Sequence, residues 1–288
     1  MNINMNMNTN SNTSINDINK PLVITYCNKY KSENYENTHR LIKTLKNNEW
    51  DYHILGDGEE WKGFNTKIHS VKNFLSTLNP EKIVIISDAH DVYCIKNSFH
   101  FISLFKLCNK SIITSMEYYA EGDTYSNPNI NSYNVTWLGP YFDFYNLDYK
   151  NILKPFVNGG LIAGYAKDLF DLYNWTITNN YTDDQKAIGA YMNTFPDKVF
   201  ADFESEILHT CNSLINGGID SYKQVIDSPN INELIGQKSF FLHIPGIVQS
   251  KGQKYLYECI YQILQFINCN EIHNIYPRYN LKYYNLKN

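Results

Sequence analysis

The residues best equipped for chemistry are two aspartates, Asp88 and Asp91, closing the run Lys82-Ile83-Val84-Ile85-Ile86-Ser87-Asp88-Ala89-His90-Asp91-Val92. A continuous stretch of β-branched side chains that stops at two carboxylates reads as a buried strand delivering them to its carboxyl end. Open α/β sheets keep their ligands there. Two carboxylates this close repel each other unless a cation sits between them, and a divalent ion with hard oxygen ligands is the commonest such cation. The bland alternative is a solvated turn in which Asp91 caps a local helix. Asp-x-x-Asp is too short a pattern to separate the two.

The elements that must position this pair can be read on either side of it. Residues 21–27 form an apolar strand, and 32–48 a helix with Ser32 or Asn34 as cap and Tyr35, Thr38, Ile42 and Leu45 on one face. Residues 51–55 alternate as a second strand, ended by Gly56-Asp57-Gly58. A polar loop, 59–63, carries Trp61. Ile68, Val71, Phe74, Leu75 and Leu78 then recur at helical spacing until Asn79-Pro80 stops them, just before the strand at 83–87. This β-α-β-α-β alternation predicts a parallel sheet with right-handed crossovers.

Beyond Asp91 a helix is expected around 99–107 and a short strand at 111–114, followed by Ser115-Met116-Glu117. Residues 118–154 lose all periodicity and fill with Asn, Tyr, Pro and Gly, a loop length that is usually functional. Residues 156–164 make a strand whose Asn158-Gly159-Gly160 lets backbone approach a ligand or another strand. Asp168 opens a helix, Thr182 caps another that runs to Phe195, residues 240–246 form a late strand containing His243, and 254–269 make an amphipathic helix.

Composition narrows the class. An apolar fraction of 43% in 288 residues is that of a globular protein with a sizeable core. Residues 1–20, mostly Asn, Met, Ser and Thr, are expected to be disordered, leaving one compact domain over 21–288. The chain start lacks the basic and apolar segments of a signal peptide, and no run is long enough for a membrane span, so a soluble protein of the cytoplasm or of a viral or host compartment is expected. A net charge of −4 argues against a non-specific nucleic-acid binder. The six cysteines show no paired metal spacing and read as buried thiols.

Taken together, five motifs in one order resemble a known family: Leu55-Gly56-x-Gly58-Glu59-Glu60-Trp61-Lys62-Gly63, Asp88-x-x-Asp91-Val92, Asn158-Gly159-Gly160-Leu161-Ile162-x-Gly164, Asp183-Asp184-Gln185 and His243-x-x-Gly246. They resemble the glycosyltransferase domain of the procollagen lysyl hydroxylases and related collagen-modifying glycosyltransferases, including stand-alone versions in large DNA viruses. The resemblance implies an α/β fold of the GT-A type, a mostly parallel nucleotide-binding sheet flanked by helices. It implies Mn²⁺ held by Asp88, Asp91 and His243, with UDP-glucose or UDP-galactose as donor. Asp183 and Asp184 match the acidic pair beside the transferred sugar. Trp61 matches the partner of uracil, and Thr25, Lys67, His90, Asn158, Gly159 and Gly246 fall around the nucleotide sugar. The implied acceptor is hydroxylysine, or galactosyl-hydroxylysine, of a collagen-like polypeptide. Family relatives often dimerise, which makes a homodimer one expected state, and the animal relatives work in the endoplasmic reticulum.

Each residue has a plainer alternative. Taken alone, His243 reads as a satisfied core histidine, a reading the motif context reverses; Trp61 reads as core packing, and either Asp183 or Asp184 as a helix N-terminal charge. The sequence also departs from the family. His90 replaces the usual Tyr between the metal aspartates, Tyr118-Tyr119-Ala120-Glu121-Gly122 replaces an aromatic and cysteine-containing segment on the acceptor side, and Pro245 replaces an Asn. No hydroxylase domain is expected before Asn288. Two further readings stay open: a UDP-sugar glycosyltransferase with a glycan acceptor, and a catalytically silent UDP-sugar-binding accessory domain.

Overall fold

A computed structural model describes residues 17–29, 36–117, 138–152, 154–210 and 239–243. The caps expected at Ser32 and Asn34, the helix at 254–269, the acceptor-side segment at 118–122, and Cys211, Cys259 and Cys269 lie outside these residues.

The chain opens with β1 (Leu22–Tyr26), α1 (Glu36–Asn47), β2 (Asp51–Leu55), α2 (Phe64–Leu75) and β3 (Ile83–Ser87), the β-α-β-α-β order its periodicity predicts. β4 (Val92–Cys94), α3 (Phe101–Leu107), β5 (Ile112–Glu117) and α4 (Gly139–Tyr145) follow, then a single 3₁₀ turn at Tyr149–Asn151. β6 (Phe156–Tyr165), α5 (Ala166–Thr178), α6 (Asp184–Thr194), β7 (Val199–Asp202), β8 (Leu208–Thr210) and β9 (Phe241–His243) complete the described chain.

Six strands form the central sheet in the order β2-β1-β3-β6-β5-β7. All run parallel except β6, which lies antiparallel to both β3 and β5. This is the mostly parallel, helix-flanked sheet expected of the GT-A type. The reversal of β6 is not encoded in its own apolar run, because a strand buried on both faces reads the same in either direction. Side chains alternate between two cores: Leu22, Ile24, Val84, Ile86 and Ile162 pack on the α2, α5 and α6 side, and Val23, Ile83, Ile85, Leu161 and Ala163 on the side of α1, α3 and a second small sheet.

That second sheet, β4-β9-β8, positions the site. Its strands are three residues each, too short for periodicity to reveal, so β4 and β8 have no sequence signal of their own. β4 pairs antiparallel with β9 so that Val92 faces His243 in register.

Several boundaries differ from the sequence-based expectation, among them α5, which begins at Ala166 and not at Asp168, and β5, which runs on to Glu117. α4 and the 3₁₀ turn lie inside the stretch expected to be loop, where Gly139-Pro140 starts the helix and Asn146, at φ 53°, ends it. α6 is capped by Asp183 rather than Thr182, its Oδ1 accepting the Lys186 backbone N–H at 3.0 Å. Ordered chain also begins before residue 21: Lys20 pairs with Asp51 at 2.8 Å, and the Asp17 carbonyl accepts from the buried Lys82 ammonium. Cys27, Cys94 and Cys108 are buried thiols outside any disulfide, as their apolar settings suggest.

Candidate active site

Asp88 directly follows β3, and its backbone N–H donates to the Gly160 carbonyl at 2.9 Å, which extends the β3–β6 ladder by one step. Asp91 sits just before β4, and the β4–β9 pairing lays His243 beside it. His243 Nε2 is 3.4 Å from Asp91 Oδ1 and 3.9 Å from Asp88 Oδ2. One ligand atom from each of the three residues lies within 4.8 Å of the others, a grouping able to hold a metal ion. The topology thus brings together residues more than 150 positions apart.

The donor set fits a divalent ion on structural grounds. His243 is fully buried, yet its Nε2 has no hydrogen-bond partner and faces two carboxylates. A nitrogen so placed can be satisfied by a proton shared with Asp91 or by a cation bound to all three residues. The Asp88 side chain is 38% exposed, which leaves the site reachable from solvent. Burial pushes the His243 imidazole down, but Asp91, Asp88 and Glu117 outweigh it and hold it above its ordinary value. Asp91 responds in kind: burial would raise its carboxyl, and His243 beside it holds it below the usual range.

Gly160 makes room for the histidine. A Cβ there would stand 2.1 Å from His243 Cε1. Gly159 plays the same part for α6, since its missing Cβ would press on Gln185 at 3.0–3.1 Å.

Lys67, in the first turn of α2, reaches between the metal-type carboxylates and α6. Its Nζ is 2.6 Å from Asp88 Oδ1 and 2.7 Å from Asp184 Oδ2. Burial opposes the charge of Lys67, but Asp184 and Asp88 hold its ammonium well above the ordinary lysine value. The buried Tyr173 hydroxyl of α5 belongs to the same electrostatic cluster. The acidic pair divides: Asp183 caps α6, whereas Asp184 is buried and faces Lys67.

Trp61 is 44% exposed and packs on Tyr26 and Phe64, with ring centroids 5.6 and 5.7 Å away. Its loop is shaped by Gly56, at φ +81°, where a Cβ would lie 2.3 Å from the Tyr26 ring. Glu59 Oε2 fastens the loop by accepting from Tyr26 Oη and Ser70 Oγ. The indole is held from behind and open in front, so it is a half-exposed ring and not core.

The remaining expected residues are placed less evenly. His90 is half-buried between the two aspartates, with burial pushing its imidazole down against their pull. Thr25 is fully buried and its hydroxyl lacks a partner. Asn158 is also buried and bonds His243 rather than facing a cleft. Gly246 lies outside the described residues. Glu117, and Gln185 of the Asp183-Asp184-Gln185 motif, are given no role by the sequence, yet both bond into this cluster. The available signal was a carboxylate ending a strand at Glu117, the same kind that marked Asp88.

Residues 19–132 match the family profile described as the PLOD GT domain, the glycosyltransferase domain of the collagen lysyl hydroxylases. The match spans less than half of the chain and supports a glycosyltransferase activity. The match holds Trp61, Lys67, Asp88 and Asp91, while Asn158, Asp184 and His243 lie beyond it and rest on geometry. Among solved structures, the chain is similar to a glycosyltransferase involved in the glycosylation of the major capsid of PBCV-1, at 13% identity, covering 83% of this chain and 99% of that one with a TM-score of 0.45. It is also similar to 4-diphosphocytidyl-2C-methyl-D-erythritol synthase from Anaerococcus prevotii DSM 20548, at 10% identity, covering 63% and 88% with a TM-score of 0.35. No curated protein matches the chain. Among the described residues no helix is long and apolar enough to cross a membrane.

Proposed function

We propose that this enzyme transfers a hexose from UDP-glucose or UDP-galactose to hydroxylysine, or galactosyl-hydroxylysine, of a collagen-like polypeptide, with Mn²⁺ as its metal. The observation that carries the donor half is the convergence of Asp88, Asp91 and the unpartnered Nε2 of His243 on one point. The acceptor half is supported by the PLOD GT match alone.

In this reading Asp88, Asp91 and His243 hold the ion, a mixed oxygen and imidazole set that suits Mn²⁺ better than Mg²⁺. When bound, such an ion neutralises charge developing on a departing diphosphate without any proton transfer. Trp61 stacks on the uracil. Lys67 fixes Asp88 and Asp184 with respect to each other, so the carboxylate meant for the sugar sits at a set distance from the metal ligands. Asp184, buried and anchored at the start of α6, faces the transferred sugar, where it stabilises positive charge at the anomeric carbon or orients the acceptor. Asp183 supports it by capping the helix.

The test is incubation with Mn²⁺ and a panel of UDP-sugars, following UDP release with and without a hydroxylysine-containing peptide. Peptide-dependent release with UDP-glucose or UDP-galactose is expected. The Trp61→Ala protein should bind UDP more weakly by about 1–3 kcal/mol at nearly unchanged melting temperature. UDP binding without release from any donor would identify a silent binding domain, and release unaffected by the peptide would remove the collagen-like acceptor.

Metal binding should also depend on pH, with a sign fixed by His243. The proton and the ion compete for Nε2, so Mn²⁺ affinity should fall by about tenfold per unit once pH drops below the raised imidazole value. The metal-free protein behaves oppositely. Its protonated His243 contributes stability that is complete below the unfolded value and disappears as pH rises through the raised folded one. Calorimetric Mn²⁺ titrations across this range, compared with His243→Ala, check the prediction; a flat profile in the parent would remove the histidine as a ligand.

A further inference from the structure

We propose that Asn158, Glu117 and Gln185 are positioning residues: a buried side-chain relay that fixes the tautomer of His243 and ties it to the N-terminus of α6, the helix carrying Asp184. This deepens the metal-site reading above and rests on it. Asn158 thereby acts through the histidine and not by touching the nucleotide.

The hydrogen bonds assign their own direction. The Gly160 backbone N–H can only donate, and it donates to Asn158 Oδ1 at 2.8 Å, which settles which end of that amide is oxygen. The same Oδ1 lies 2.8 Å from His243 Nδ1, so Nδ1 must carry the proton. Nε2 is then the bare lone pair, and it is the atom facing Asp91 and Asp88. Asn158 Nδ2 donates to Glu117 Oε2 at 2.8 Å, and Glu117 Oε1 accepts from Gln185 Nε2 at 3.0 Å. Gln185 Oε1 accepts the Gly159 N–H at 3.2 Å and closes the circuit on the strand where it began.

Glu117 is the element that gives the circuit a single polarity. Its two neighbours both present N–H groups, which a carboxylate satisfies with its two oxygens. A carboxylate placed behind a metal-type histidine also raises the basicity of the ligand nitrogen, here through one amide. Asn158 and Glu117 are almost fully buried, at 3% and 8% exposure, so water cannot readily replace a lost bond. Gln185 follows Asp184 directly, so the bonds that orient the histidine also set the first turn of α6.

The test is Glu117→Gln. This side chain has the same shape but one donor too many: with donors on both sides, either the Asn158 or the Gln185 amide must turn and present N–H to a backbone N–H. The swap Glu117→Gln/Gln185→Glu restores every donor–acceptor match and is the rescue. Two readouts apply. Free Mn²⁺ measured by electron paramagnetic resonance should show affinity lowered about 10–100-fold in Glu117→Gln and recovered in the swap. Without metal, ¹⁵N shifts of His243 above its titration should show Nδ1 protonated in the parent and in the swap.

A parent protein with the proton on Nε2, or a Glu117→Gln protein that binds Mn²⁺ as the parent does, overturns the relay. Because neither readout involves a sugar, loss of the donor or acceptor assignment leaves these results standing. A parent that binds no Mn²⁺ but keeps the Nδ1 proton would instead sink the metal-site reading. Melting temperature of each variant separates a folding defect from a repositioned histidine, and the swap keeps the test decisive if Glu117→Gln folds poorly.

Discussion

Gly160→Ala should leave the fold standing and nearly abolish Mn²⁺ binding. The backbone at this position is held on both sides: the Gly160 carbonyl accepts from Asp88 N–H, and its N–H donates to Asn158. A methyl group there would meet His243 Cε1 at 2.1 Å, Nδ1 at 2.6 Å and Nε2 at 2.7 Å. The backbone has no positive φ to protect, so the whole conflict falls on the imidazole. Overpacking of this kind typically destabilises by about 1–3 kcal/mol. Expelling a ligand should lower metal affinity by at least as much as disturbing its outer partners, about 100-fold or more. The decisive comparison is a cycle with His243→Ala. If the methyl acts through the histidine, Gly160→Ala should cost little in the His243→Ala background, a strongly non-additive result. Additive losses would mean that Gly160 serves the sheet itself.

That dependence on one absent side chain shows where the sequence was informative. The Ile83–Ser87 run ending at Asp88 and Asp91 was legible because a strand buried on both faces is a continuous apolar stretch, and charges can follow it only at its end. The expected strand at 83–87 has the observed bounds for that reason, and the one at 51–55 because its alternation is ended by Gly56-Asp57-Gly58. What lies between the elements was not legible. β4 and β8 are three residues each, too short for any period, yet β4 is what aligns Val92 with His243. The antiparallel course of β6 is a tertiary fact. The resemblance names His243 and the asparagine–glycine motif separately; only the fold shows that His243 occupies the space a side chain at Gly160 would need. The acidic pair was likewise ambiguous until α6 began at Asp184, which assigned the cap to Asp183 and left its neighbour facing Lys67.

Lys67→Met tests that last contact and should have the second largest effect. The ammonium is the cation shared by Asp88 and Asp184, and both it and Asp184 are buried, with side chains 6% and 8% exposed. Removing one partner of a buried pair leaves the other charge uncompensated, at a cost of about 3–5 kcal/mol. Asp88 is more than a third exposed and can be met by water, so most of that cost belongs to Asp184. For a chain of this size the melting temperature should fall by roughly 10 °C. Turnover should fall by about 100-fold or more, because an electrostatic clamp on the reacting groups is lost with it. The double variant Lys67→Met/Asp184→Asn distinguishes the two effects. Neutralising the stranded carboxylate should return most of the melting temperature, since an apolar side chain beside a neutral amide carries no buried charge. It should return none of the turnover if Asp184 faces the sugar as proposed, because that carboxylate is then gone as well. A single variant that melts like the parent would show that Asp184 finds another partner, and a double variant that regains activity would remove Asp184 from the chemistry.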